Sequence, residues 1–146
     1  MTPPVIVDTG PLVALLNRRD RWHAWAVEQF GELGSPLATC ESVLAESSHL
    51  LRHDPKGPDA LLQLISRGLL SIDISLQGQA EELRRLMWRY RDLPMSLADA
   101  CLVKLAEQAS GAQVLTLDAH FRRYRRHGRH VIPLILPSDG KKPDRD

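Results

Sequence analysis

Cysteine is scarce in this chain, net charge nearly absent, and long apolar runs missing. Each shortage closes off a class of protein. The two cysteines among 146 residues, Cys40 and Cys101, stand far apart with no Cys-x-x-Cys spacing. That excludes a disulfide framework or a zinc ribbon and fits a reducing cytoplasm. Lys and Arg number 19 against 18 Asp and Glu, a formal charge of +1. The whole chain is therefore no polycation, and any nucleic-acid binding must come from a local basic patch. The longest apolar stretches, such as Val131 to Leu136, are broken by proline and fall far short of the ~20 residues of a membrane span. The opening, Met1 to Asp8, lacks the basic region and apolar run of a signal peptide. The expectation is a cytoplasmic protein with no membrane association.

What remains has the make-up of a globule, with 43% apolar and 25% charged residues. A chain of this length forms one domain and buries roughly 68–70% of its unfolded surface, so it needs no disulfide or structural metal. Residues 1–136 read as a single domain and 137–146 as a polar, proline-rich, disordered tail.

Val5-Ile6-Val7 is a β-branched run followed by Asp8-Thr9-Gly10-Pro11, the pattern of a buried strand, a turn and a helix with proline in its first turn. Asp20 reads as the N-cap of a second helix over about 21–33. Residues 37–39 form a weak strand candidate, 41–52 a helix, Asp54 to Pro58 a break, and 59–67 a further helix. A strand over 69–74, helices over 79–91 and 96–108, and strands at 114–117 and 131–134 complete the pattern. Strands alternating with helices predict an α/β fold with a parallel sheet of four to five strands flanked by helices.

Asp8 and Asp118 end two of those strands. In open α/β sheets ligands collect beyond the carboxyl ends of strands, yet an aspartate there is also a good N-cap for the helix after it. Asp99 carries the same ambiguity. Ser96-Leu97-Ala98-Asp99 resembles a capping box, while Asp99 also heads the helical stripe Leu102, Val103, Ala106. Glu46 has no capping role, because it falls between Val43 and Leu50 on one helical face. Glu41, at the helix start, suits the dipole and reads as structural. Glu46-x-x-His49 has the spacing of a di-iron motif but lacks the second copy such sites need, so His49 and His53 read as surface residues. Four converging acids suit hydrolysis of a phosphodiester, which needs a hard cation held by oxygen ligands.

Val7-Asp8-Thr9, Val43-Leu44-Ala45-Glu46, Ser96-Leu97-Ala98-Asp99-Ala100 and Leu115-Thr116-Leu117-Asp118-Ala119-His120-Phe121 occur in that order. The series resembles the PIN domain, closest to the VapC-type toxins of toxin–antitoxin pairs. The stretch from Pro11 to Asn17, with Asp20 and His23, is similar to that group too. The resemblance spans Val5 to Pro133 and implies a parallel sheet between helices and Mg²⁺- or Mn²⁺-dependent endoribonuclease activity. It implies Asp8, Glu46, Asp99 and Asp118 as catalytic metal ligands, and Thr9, Ser96 and Thr116 as residues that orient water or carboxylates. Products with 5′-phosphate and 3′-hydroxyl ends, a cognate antitoxin and a homodimer are implied as well.

Arg122, Arg123, Tyr124, Arg125 and Arg126 come shortly after Asp118. The arginines could hold RNA phosphates and Tyr124 could stack on a base; a solvated helix face is the rival reading. Arg84, Arg85, Arg89 and Arg91, interleaved with Trp88, read as an exposed helix face or a protein interface. Three other roles stay open: a housekeeping PIN nuclease in RNA processing, a non-catalytic binding module, and a phosphatase-like domain using Asp8 covalently. A phosphatase would want a second Asp where Gly10 stands.

Overall fold

Val5-Ile6-Val7 is buried on both faces, as a β-branched strand inside a parallel sheet must be. In the computed structural model, which describes residues 3–138, this run is β1 (Val5–Val7). It leads into α1 (Thr9–Leu16), α2 (His23–Glu32), β2 (Leu37–Thr39), α3 (Glu41–Leu50) and α4 (Lys56–Ser66). Then come β3 (Leu70–Ile72), α5 (Ala80–Arg89), α6 (Leu97–Gln108) and β4 (Gln113–Leu115). A 3₁₀ turn (Ala119–Arg123), the hairpin strands β5 (Arg125–Arg126) and β6 (His130–Val131), and β7 (Leu134–Ile135) close the chain. The expected tail lies outside the described residues from 139 onward.

Five strands pair in parallel in the order β3-β2-β1-β4-β7. From β1 the chain steps outward through β2 to β3, then returns to set β4 on the other side of β1. The order reverses between β1 and β4, and the crevice beyond their carboxyl ends is where such sheets bind ligands. α6 makes the return crossing. It buries Ala98, Ala100, Cys101, Leu102, Val103, Leu105 and Ala106, seven of its twelve residues. No helix among the described residues is long and apolar enough to cross a membrane.

Four local expectations need correction. Asp20 does not cap α2; its Oδ1 accepts from the Trp22 amide at 2.8 Å, and the helix starts at His23. The break at Asp54 to Pro58 is shorter than expected, because α4 takes Lys56, Gly57 and Pro58 into its first turn. Proline is tolerated there since its missing N–H has no helical partner to lose. The single strand over 131–134 splits: β6 pairs antiparallel with β5, and β7 joins the main sheet. The arginine run is not one helix face, for Arg122 and Arg123 end the 3₁₀ turn while Arg125 and Arg126 form β5. Arg126 bonds to Arg129 across a turn in which His127 and Gly128 have φ of 50° and 71°, the left-handed geometry of hairpin turns.

Candidate active site

Asp8 stands at the carboxyl end of β1 and serves two ends at once. Its Oδ1 accepts from the Thr9 amide at 2.7 Å, capping α1, and its Oδ2 accepts from the Thr116 hydroxyl at 2.8 Å. Thr116, fully buried just past β4, in turn accepts from the Asp118 amide at 3.0 Å. One hydroxyl therefore ties together the ends of the two strands that flank the switch point. The Asp118 carboxylate caps the 3₁₀ turn, taking the His120 amide at 2.9 Å, and also contacts the His120 ring.

Glu46 and Asp99 approach from helices. Thr9 Oγ1 donates to Glu46 Oε2 at 3.1 Å, linking α1 to α3. Asp99 forms a full capping box with Ser96 and accepts from the Tyr124 hydroxyl at 2.8 Å. Asp8 and Asp118 each cap the helical segment that follows a strand, and Asp99 completes the capping box of α6.

The Asp8 carboxyl is pushed up from 3.8 to about 6. Burial is the main cause. Thr116 and the Thr9 amide oppose it, and the nearby charges of Asp99 and Glu46 add to it. Burial, with the hydrogen bond to Asp99, also raises the Tyr124 hydroxyl, and Asp118 and Asp8 contribute repulsion there. Asp99 and Glu46 thus lie within electrostatic reach of Asp8, and Asp8, Asp99 and Asp118 all lie within reach of the Tyr124 hydroxyl. Among the described residues Asp8, Glu46 and Asp99 have no cationic ion-pair partner, and Asp118 has only His120.

No three His, Cys, Asp or Glu side chains among the described residues stand close enough to enclose a metal ion directly. The donor set nonetheless fits a hard divalent cation in kind: it is all oxygen, anionic and short of positive charge. An open spacing suits Mg²⁺, which keeps several of its waters and takes only a few carboxylates.

Other expected residues fall less simply. Glu46 is exposed, and the buried face of α3 is Val43 with Ser47, so the stripe Val43-Glu46-Leu50 is not the core face; Leu50 is 45% exposed. The periodicity that singled out Glu46 is thus not borne out by burial, though Thr9 still brings its carboxylate to the group. Tyr124 cannot stack on a base. Its ring is 2% exposed, wedged edge-on between Tyr90 and Phe121, with its hydroxyl committed to Asp99. Arg122 and Arg123 are exposed beside Asp118, whereas the Arg125 guanidinium folds back onto the Arg122 and Tyr124 carbonyls and Arg126 is half-buried. Sequence reasoning gave no role to His120 at Asp118 or to the Tyr124 hydroxyl at Asp99. The first had a signal in its two-residue spacing from Asp118, while the second is a contact 25 residues apart that no local pattern encodes.

The PIN domain family matches residues 5–127. Ribonuclease VapC27 of Mycobacterium tuberculosis is 32% identical over 138 residues, 90% of this chain and 98% of that protein. Ribonuclease VapC26 of the same organism is 28% identical over 124 residues, 83% of this chain and 92% of that protein. The family match covers β1 through the arginine run, including both strand ends and both helices that carry the four acids, and the chain belongs to the PIN domain family.

Proposed function

We propose that this chain is a metal-dependent endoribonuclease, the toxin of a toxin–antitoxin pair, in which Asp8, Glu46, Asp99 and Asp118 hold Mg²⁺ or Mn²⁺. The observation that carries this reading is the gathering of four carboxylates at the switch point of a parallel sheet, three of them without a cationic partner among the described residues. Likeness to two proteins named ribonucleases, over most of their lengths, supports it.

When bound, a hard cation neutralises the scissile phosphate and lowers the pKa of water. The chain's own residues do the rest. Thr116 fixes Asp8 and Asp118 relative to one another, Thr9 holds Glu46 toward them, and Ser96 with Tyr124 orients Asp99. Arg122 and Arg123, exposed next to Asp118, meet RNA phosphates. An antitoxin that covers the site, a homodimer and a cytoplasmic location belong to the same proposal.

The phosphatase alternative meets a steric obstacle. A Cβ at position 10 would lie 3.1 Å from Leu117 Cδ1, so the second Asp such an enzyme wants has no room without displacing Leu117. The test is cleavage of RNA with Mg²⁺ or Mn²⁺, with sequencing of the RNA ends, by wild type and Asp99→Asn. The amide keeps the shape but removes the charge a cation needs, so cleavage should be lost while the fold persists. Equal cleavage by both proteins would remove Asp99 from the site; no cleavage by wild type under any metal would end the nuclease reading.

A further inference from the structure

Cys40 and Cys101, far apart in sequence, meet in the fold. Cys40 lies between β2 and α3, and Cys101 lies on the core side of α6, which packs against both. Both thiols are free and almost wholly buried, and both line one cleft. Burial of one cysteine is ordinary packing. Two free thiols lining one cleft, on elements packed against each other, are something more, because a disulfide needs such a juxtaposition. A cleft of about 560 Å³ adds access: it is lined by both cysteines together with Ser42, Ile74, Leu76 and Gln77, and Leu76 at its edge is half exposed. A small oxidant can therefore reach sulfurs that bulk solvent does not.

We propose that Cys40 and Cys101 form an oxidation site, at which a peroxide converts the two thiols into a disulfide that ties the start of α3 to α6. One sulfur attacks the peroxide oxygen, giving a sulfenic acid and releasing water or hydroxide. The second sulfur attacks the first, and a second water leaves. In sum, two thiols and one hydrogen peroxide give one disulfide and two waters, the sulfurs losing two electrons and the peroxide gaining them. In reducing compartments such bonds are transient and serve as sensors rather than braces.

The consequence reaches the acidic site and rests on the nuclease reading above. Glu46 rides on α3 and Asp99 on α6, two residues before Cys101. Bond formation brings the sulfurs to about 2.05 Å, which draws the two helices together. A displacement of about 1 Å at a positioned group can cost on the order of 100-fold in rate. The disulfide thus slows the enzyme, and reduction restores it.

The test treats the reduced, full-length chain with hydrogen peroxide, blocks remaining thiols by alkylation and maps the tryptic peptides by mass. The expected product joins peptides 22–52 and 92–104, two hydrogens lighter than their sum, and disappears with dithiothreitol. RNA cleavage should fall by tenfold or more in the oxidised protein and recover on reduction, while Cys40→Ala forms no link and keeps its rate in peroxide. Absence of the linked peptide overturns the proposal, and so does a linked protein that cleaves as fast as the reduced one. The peptide map uses wild type, so a poorly folding Cys40→Ala protein does not blunt it. Failure of the reduced protein to cleave RNA counts against the nuclease reading instead, and the map alone then decides the disulfide.

Discussion

Removing divalent cations and raising the pH should weaken this protein through Asp8. Its carboxyl ionises at about 6 when folded and near 3.8 when unfolded. Between those values the folded chain holds the extra proton, so stability is greatest below about pH 4, falls as the pH rises, and is lowest above about 6. The full difference corresponds to about 3 kcal/mol at most, or roughly 6–12 °C in melting temperature for a chain of this size. Other carboxylates titrate in the same range, so the measurement is a comparison. Wild type and Asp8→Asn are melted in EDTA at pH 4.5, 5.5, 6.5 and 7.5, and their difference isolates the one group. The Asn protein should gain on wild type as the pH rises, because its amide carries no charge to desolvate. Saturating Mg²⁺ at pH 7.5 should then recover about 2.7 kcal/mol for wild type at a hundredfold excess over Kd, and much less for Asp8→Asn. Parallel pH profiles for the two proteins would refute the claim that Asp8 is an uncompensated buried charge. Equal Mg²⁺ shifts would refute its place at the cation.

Thr116→Val removes the hydroxyl that joins Asp8 to Asp118, and cation affinity measured by calorimetry should fall 10- to 100-fold; unchanged affinity would mean that the threonine orients nothing. Tyr124→Phe should cost about 1 kcal/mol in denaturant unfolding through loss of the bond to Asp99. It should leave RNA affinity alone, and a loss of RNA binding would contradict the buried position of the ring. Arg122→Gln with Arg123→Gln, in an Asp99→Asn background, should weaken RNA binding and lower the slope of log affinity against log salt by roughly 1.4. An unchanged slope would return those arginines to the solvated surface.

The alternation of β-branched runs with helical stripes was enough to give the α/β class and the parallel sheet, because parallel neighbours require a crossover and these crossovers are helical. The strand ending before Asp8 was legible too, whereas β4 stops at Leu115, three residues short of Asp118. Each aspartate comes at or just past the end of an apolar run, where a buried strand gives way to a polar turn. Local pattern misled where a segment's partner is distant. Whether residues 125–131 form helix or hairpin depends on a turn with two positive φ values, and a run of arginines carries no signal for that.

By itself, then, the sequence determined which residues are acidic and their order along the chain, and left open whether Asp8 and Asp118 cap the turn after a strand or serve a site. Only the tertiary structure decided the strand order, which sets β1 beside β4 and lets a single hydroxyl, that of Thr116, reach Asp8 across 108 residues of chain while also holding Asp118. It also decided that Glu46 sits at an exposed edge of α3 rather than on its core face, that Tyr124 is walled in by Tyr90 and Phe121, and that Cys40 and Cys101 line one cleft. Periodicity can tell which way a side chain points from its own helix or strand. What it meets there is set by packing between elements, and that information lies in no local window of the chain.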